Sequence, residues 1–187
     1  MKVLIDPGHG GQDSGARFRG HKESDLALSI SIRLASMLSR ANSIETKLTR
    51  ETDHFIRLRD RAHMANTWGA DLFLSVHLNA DMDADNPGDS EARGYEFWHY
   101  RGSRNGMKFA RRLGVAFGEE FPDEPYRGEK SSAGLFVLRQ TRMTAALAEV
   151  AFIDNSKSVR EVNQPETQDA IAFALMKGVI DAVRENL

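Results

Sequence analysis

The sequence contains no cysteine. That excludes disulfides, thiolate-bound zinc, iron–sulfur clusters and a cysteine nucleophile, and it leaves the compartment open. No apolar run approaches the roughly 20 residues that a membrane-spanning helix needs, so no span is expected. There is no excess of charge of either sign: 25 Lys and Arg stand against 27 Asp and Glu, for a net charge of −2. Bulk attraction to nucleic acid or to an anionic membrane surface is therefore not expected. Met1-Lys2 runs straight into an apolar segment with no basic n-region and apolar h-region, so no secretion leader is expected. The GxSxG elbow of serine hydrolases, the GxxxxGKS/T phosphate loop and an in-register GxGxxG are missing too. What remains is an ordinary globular composition over 187 residues, 41% hydrophobic and 28% charged. A chain of this length buries about 70% of its unfolded surface, and one domain over 1–187, monomeric, is expected.

Strand and helix patterns alternate along the chain. Residues 2–6 (KVLID), 44–49 (IETKLT), 72–76 (LFLSV), 94–100 (GYEFWHY), 135–138 (LFVL) and 146–152 (ALAEVAF) read as strands. Residues 24–40 carry Leu26, Ile30, Leu34, Met37 and Leu38 at helical spacing. Residues 55–68 read as a helix with Leu58, Ala62, Ala65 and Trp68 inward and Gly69 as its C-cap. Residues 104–121 read as a third helix through Met107, Ala110, Leu113 and Phe117. Residues 165–185 close the chain as a helix, with Pro165 in its first turn. This order predicts an α/β three-layer sandwich, a largely parallel twisted sheet of about six strands with helices on both faces. Two polar stretches, 78–93 and 122–134, are too long for simple connectors and are expected to wall a substrate groove. In the second, Tyr126 offers a flat apolar face and Arg127 a fork of donors for a carboxylate, unless Arg127 pairs with Glu124 or Glu129.

Sites in open α/β sheets gather at the carboxyl ends of the strands. His9, in DPGHGG, follows the first strand, and His77, in SVHLNA, follows the third, so both fall on one rim. Glu23 opens the first helix, where the helix N-terminus favours a carboxylate. Glu149 lies inside the apolar strand ALAEVAF, where desolvation demands a partner, a proton or a metal. Each has a bland reading: a loop histidine, a strand-end histidine, a helix-start acid, and a salt bridge from Glu149 to Arg50 or Arg139. Together, two imidazoles and a carboxylate form a catalytic zinc site of the His₂Glu kind, with a further carboxylate as proton acceptor. Gly8, Gly10 and Gly11 would let the backbone turn sharply around such a site. On the residues alone His21 is a rival ligand. Asp81, Asp83 and Asp85 imitate a calcium loop, but Asn86 and Ala92 stand where an EF-hand needs Gly and Glu, and a solvated acidic loop is the reading.

The segments IDPGHGGQDSGA (5–16), ESDLAL (23–28), LTRETD (48–53), LRDRAHMAN (58–66), ADLFLSVHLNA (70–80) and ALAEVAFIDN (146–155) together resemble the zinc-dependent N-acetylmuramoyl-L-alanine amidases, the family often called amidase type 3. The resemblance runs from the first strand to the last helix. It implies one Zn²⁺ per chain held by His9, Glu23 and His77, with Glu149 as the catalytic carboxylate. It implies cleavage of the amide between N-acetylmuramic acid and the L-alanine of the stem peptide, with bacterial peptidoglycan as partner. Ala151 departs from the family's usual glycine after the catalytic glutamate. A cell-wall binding module without activity, or a zinc peptidase acting within the stem peptide, are the competing expectations. The resemblance places the chain at the bacterial cell wall, as a phage endolysin released through membrane holes or as the excised catalytic domain of a secreted autolysin.

Overall fold

The computed structural model describes residues 1–81 and 89–187. Its strands are β1 (Lys2–Pro7), β2 (Arg17–Phe18), β3 (His21–Lys22), β4 (Glu45–Leu48), β5 (Leu72–Asn79), β6 (Tyr95–Tyr100), β7 (Tyr126–Ser132) and β8 (Thr144–Phe152). Its helices are α1 (Glu23–Leu38), α2 (Leu58–Trp68), α3 (Arg104–Glu120), α4 (Phe136–Gln140), α5 (Ser156–Val162) and α6 (Pro165–Arg184). A six-stranded sheet in the order β4-β1-β5-β8-β6-β7 forms the middle layer, and β2 and β3 make a separate small hairpin. Neighbours from β4 to β8 pair in parallel. β6 runs antiparallel to β8, and β7 follows β6 in parallel.

β1, β5 and β8 are covered on both faces, which is why they read as continuous apolar runs. One face carries Val3, Ile5, Leu74, Val76, Ala146 and Ala148 against α1, α3 and α6. The other carries Leu4, Phe73, Ala145 and Leu147, in one cluster with Ala65 of α2 and Val137 and Leu138 of α4. Among the described residues no helix is long and apolar enough to cross a membrane.

The structure corrects the sequence reading in several places. Residues 135–138 are not a strand: Phe136–Gln140 form α4, which packs on α2. A four-residue apolar run has too little length for its period to separate strand from helix. The sixth strand is instead β7, inside the stretch read as irregular. Its sequence YRGEKSS is polar because it lies at the sheet edge, where charge guards against further pairing. Met107 is 40% exposed, because the buried stripe of α3 runs through Gly106, Phe109, Leu113 and Phe117 and leaves it on the flank. Leu58, 54% exposed at the first position of α2, faces a groove rather than the core.

Candidate metal centre

β1 ends in Asp6-Pro7, and the chain then turns into the glycine loop. The carboxylate of Asp6 is buried and fully partnered. Thr49 donates to its Oδ1 at 2.7 Å, Arg61 donates to the same oxygen at 2.8 Å, and Ser75 donates to Oδ2 at 2.8 Å. Two buried arginines then hold the loop by its carbonyls. Arg61 donates to the carbonyl oxygens of Pro7, His9 and Ile56. Arg50 donates to those of Pro7, Gly8, Ser24 and Thr52. Carbonyls that would be orphaned in a buried turn are thereby satisfied. Within this frame His9 itself takes a left-handed conformation, with φ at 57°, uncommon for a residue other than glycine. Gly8 serves close approach, since a Cβ there would lie 2.4 Å from Cε1 of the His77 ring.

The result brings three of the expected residues together. His9 Nε2 lies 3.1 Å from Glu23 Oε1, and His77 Nδ1 lies 2.8 Å from the same oxygen. One ligand atom from each of His9, Glu23 and His77 lies within 4.8 Å of the others. Glu23 reaches this point from the N-terminus of α1, where the amides of Ala16 and Leu78 donate to its two oxygens at 3.0 and 3.2 Å. Burial alone would raise its pKa, but hydrogen bonds and charge from His77 and His9 outweigh it and hold the carboxyl far below the usual range. Burial would lower the pKa of His9, yet Glu23 and then Asp13 raise it overall. Asp13 lies 3.0 Å from His9 Nδ1, the arrangement that orients a ligating imidazole from behind. His21, the rival ligand, sits in the β2–β3 hairpin and contributes no atom to this cluster.

Glu149 stands one strand further along. β8 pairs with β5 so that Glu149 is directly beside His77, and β6 places Glu96 on its other side. Neither Arg50 nor Arg139 pairs with it: Arg50 is committed to the glycine loop, and Arg139 lies over the Phe136 ring. Among the described residues its Oε2 is buried without a hydrogen-bond partner. Burial first, then the charges of Glu23 and Glu96, push its pKa well above the usual carboxylate value, against the pull of Lys130. Glu96 is itself buried and accepts from Asn79, Trp98, Arg127 and Lys130. A polar row thus crosses the sheet from His77 through Glu149 and Glu96 to the cations of β7.

Arg127 ends on Glu96, at 3.3 Å, and over the ring of Phe152. It pairs with neither Glu124 nor Glu129, which are taken by Arg93 and Arg111. Tyr126 does not join this set. It points to the other face of β7, stacks on Tyr95 at 5.2 Å and packs against Gly114 of α3. Asp83, Asp85 and Asn86 of the calcium-like stretch, and much of the 78–93 wall, lie outside the described residues. Sequence reasoning passed over Asp6, Asp13, Arg61 and Glu96, and read Arg50 only as a partner for Glu149. The one signal for them was that four of the five sit in the segments DPGHGGQD, LTRETD and LRDRAHMAN, close to His9 in sequence or in the fold.

Comparison with known proteins gives matches along nearly the whole chain. The family model described as N-acetylmuramoyl-L-alanine amidase matches residues 3–181. The endolysin of Bacillus phage SPP1 is 36% identical over 184 residues, covering 96% of this chain and 65% of the phage protein. The N-acetylmuramoyl-L-alanine amidase CwlM of Bacillus licheniformis is 33% identical over 183 residues, covering 97% of this chain and 68% of that protein. The crystal structure of N-acetylmuramoyl-L-alanine amidase from Clostridium difficile 630 superposes with a TM-score of 0.91 at 32% identity, over 98% of this chain and 96% of that one. The chain therefore spans about two-thirds of these curated relatives and nearly all of the solved domain. With its sheet order, its cluster of His9, Glu23 and His77 and this match from β1 to α6, the chain belongs to the N-acetylmuramoyl-L-alanine amidase family.

Proposed function

We propose that the chain is a zinc-dependent hydrolase of bacterial peptidoglycan that cleaves the amide between N-acetylmuramic acid and the L-alanine of the stem peptide. The observation that carries this is the convergence of His9 and His77 on one oxygen of Glu23, beside the unpartnered carboxylate of Glu149. Two neutral imidazoles and one carboxylate suit a single Zn²⁺ and leave a position open. When bound, zinc supplies Lewis-acid chemistry, polarising the scissile carbonyl and acidifying water.

The chain's own residues do the rest. Asp13 fixes the His9 ring, and the arginines of the glycine loop fix its backbone. Glu149 Oε2 has no other commitment, so it is free to take the proton of the attacking water and return it to the amine of L-alanine. A positive charge in the cluster opposes the desolvation that raises the pKa of Glu149. Arg127 adds a donor fork for a carboxylate of the stem peptide. The enzyme acts at the bacterial wall, as a monomer.

Product analysis on purified peptidoglycan tests the reading. The expected result is a new amine on L-alanine, lost on chelation and restored by Zn²⁺. A cut elsewhere in the peptide would make it a zinc peptidase, and binding without a cut a wall-binding module. His9→Ala and His77→Ala are expected to lose zinc by elemental analysis; stoichiometric zinc in both would overturn the ligand set.

A further inference from the structure

The two flanks of the candidate site differ in kind. On one side a groove of about 370 Å³ begins at His9 and His77 and runs over the sheet face between α2 and α4. Its walls are Phe55, Leu58, Leu135, Phe136, Val137 and Leu147. Phe55 is 41% exposed and Leu58 54%, a concentration of bare apolar surface beside a polar centre. The charged groups of this groove are Asp13 at its mouth and, beneath it, Asp6 and Arg61, which neutralise one another at 2.8 Å. On the other side, past Glu149, the strand order leads to Arg127 and Lys130, whose side chains are 40% and 35% exposed although both reach Glu96.

The substrate of the proposed reaction has the same asymmetry. Its sugar half is uncharged and offers the apolar CH face of a pyranose ring. Its peptide half carries carboxylates. A ring laid on Phe55 removes apolar surface from water on both partners and brings no charge near Asp13. The reverse placement would set peptide carboxylates against Asp13 and leave Arg127 facing a neutral sugar. Resting on the amidase reading, we infer that the substrate crosses the site in one direction, with the N-acetylmuramoyl sugar in the Phe55–Phe136 groove and the stem peptide toward Arg127.

The test compares two substrates with the same stem peptide, one bearing the muramoyl sugar and one bearing only the D-lactoyl group. In Phe55→Ala and Leu58→Ala the ratio of kcat/KM, sugar-bearing over sugar-free, is expected to fall about tenfold. Both side chains are exposed, so melting temperatures stay within a degree or so of the parent and a folding defect is recognised as such. A ratio that moves less than about twofold in both variants, or that falls instead in Arg127→Ala, overturns the orientation. A second readout needs no turnover: NMR titration of the parent with peptide-free glycan strands is expected to perturb Phe55 and Leu58. Perturbation of Arg127 alone overturns the inference while leaving the amidase reading standing. Failure of the zinc-loaded parent to cut either substrate overturns the amidase reading, and the glycan titration then still decides where sugar binds.

Discussion

Glu149 has one oxygen with no partner inside a sheet, and leaving such a group unpaired costs stability. Glu149→Gln is expected to fold and keep zinc while kcat falls by about 10²–10⁴, the usual worth of a general base. Stability should move the other way. Folding raises this carboxyl's pKa, so the folded chain holds a proton that the unfolded chain has released once pH exceeds the ordinary value of 4.5. That contribution is whole below the ordinary value and is lost as pH climbs toward the folded one. Glutamine carries no such loss. Melting curves of chelator-treated parent and Glu149→Gln are therefore expected to lie close at acid pH and to separate toward neutrality, the variant being the more stable. A constant gap across pH would show that Glu149 does not titrate upward. At this scale the set of His9, Glu23 and His77 came from the family resemblance, while His9 and Glu149 could be noticed from type and place, because a histidine among glycines and a glutamate in an apolar strand are conspicuous. Arg50 and Arg61 could not, since a charged residue is by default a surface residue and no period marks one that will be buried on carbonyls.

Elements were readable where their faces differed. The period of α1, α3 and α6 and the apolar runs of β1, β5 and β8 announced themselves because burial was strong and one-sided or complete. β7 was not, because an edge strand with a polar sequence has neither signature, and α4, one turn long, has no period to show. The hairpin of β2 and β3 escaped for the same reason, having two residues a side. What locates β7 is Gly94, at the entry to β6. Its φ is 101°, and a Cβ there would lie 2.0 Å from the carbonyl oxygen of Pro125, just ahead of β7. Gly94→Ala is therefore expected to cost at least about 1–3 kcal/mol by chemical denaturation, because strain and a backbone clash coincide. It should also lower kcat/KM, since Arg127 and Lys130 ride on the displaced strand. A loss below half a kcal/mol would mean that β6 and β7 adjust independently.

At the scale of the molecule, β8 contributes Ala146 and Ala148 to one hydrophobic cluster and Ala145 and Leu147 to the other. Neither cluster is complete without it, so a single cooperative unit over 1–187 is proposed. Near- and far-UV circular dichroism are expected to report one coincident thermal transition, raised by Zn²⁺ through mass action and lowered by chelation. Two separated transitions would divide the chain into more than one domain. The place of β8 has a consequence for how the molecule is made. It is the last strand to leave the ribosome and the one that takes the middle of the sheet, between β5 and β6. A nascent chain ending before Thr144 already carries His9, Glu23 and His77, but its sheet is two fragments, β4-β1-β5 and β6-β7, each with an open edge. The proposed base arrives with the strand that joins them. On the proposed mechanism, a chain that ends before β8 carries the metal-binding residues without the base, so hydrolysis waits on the strand that also closes the sheet.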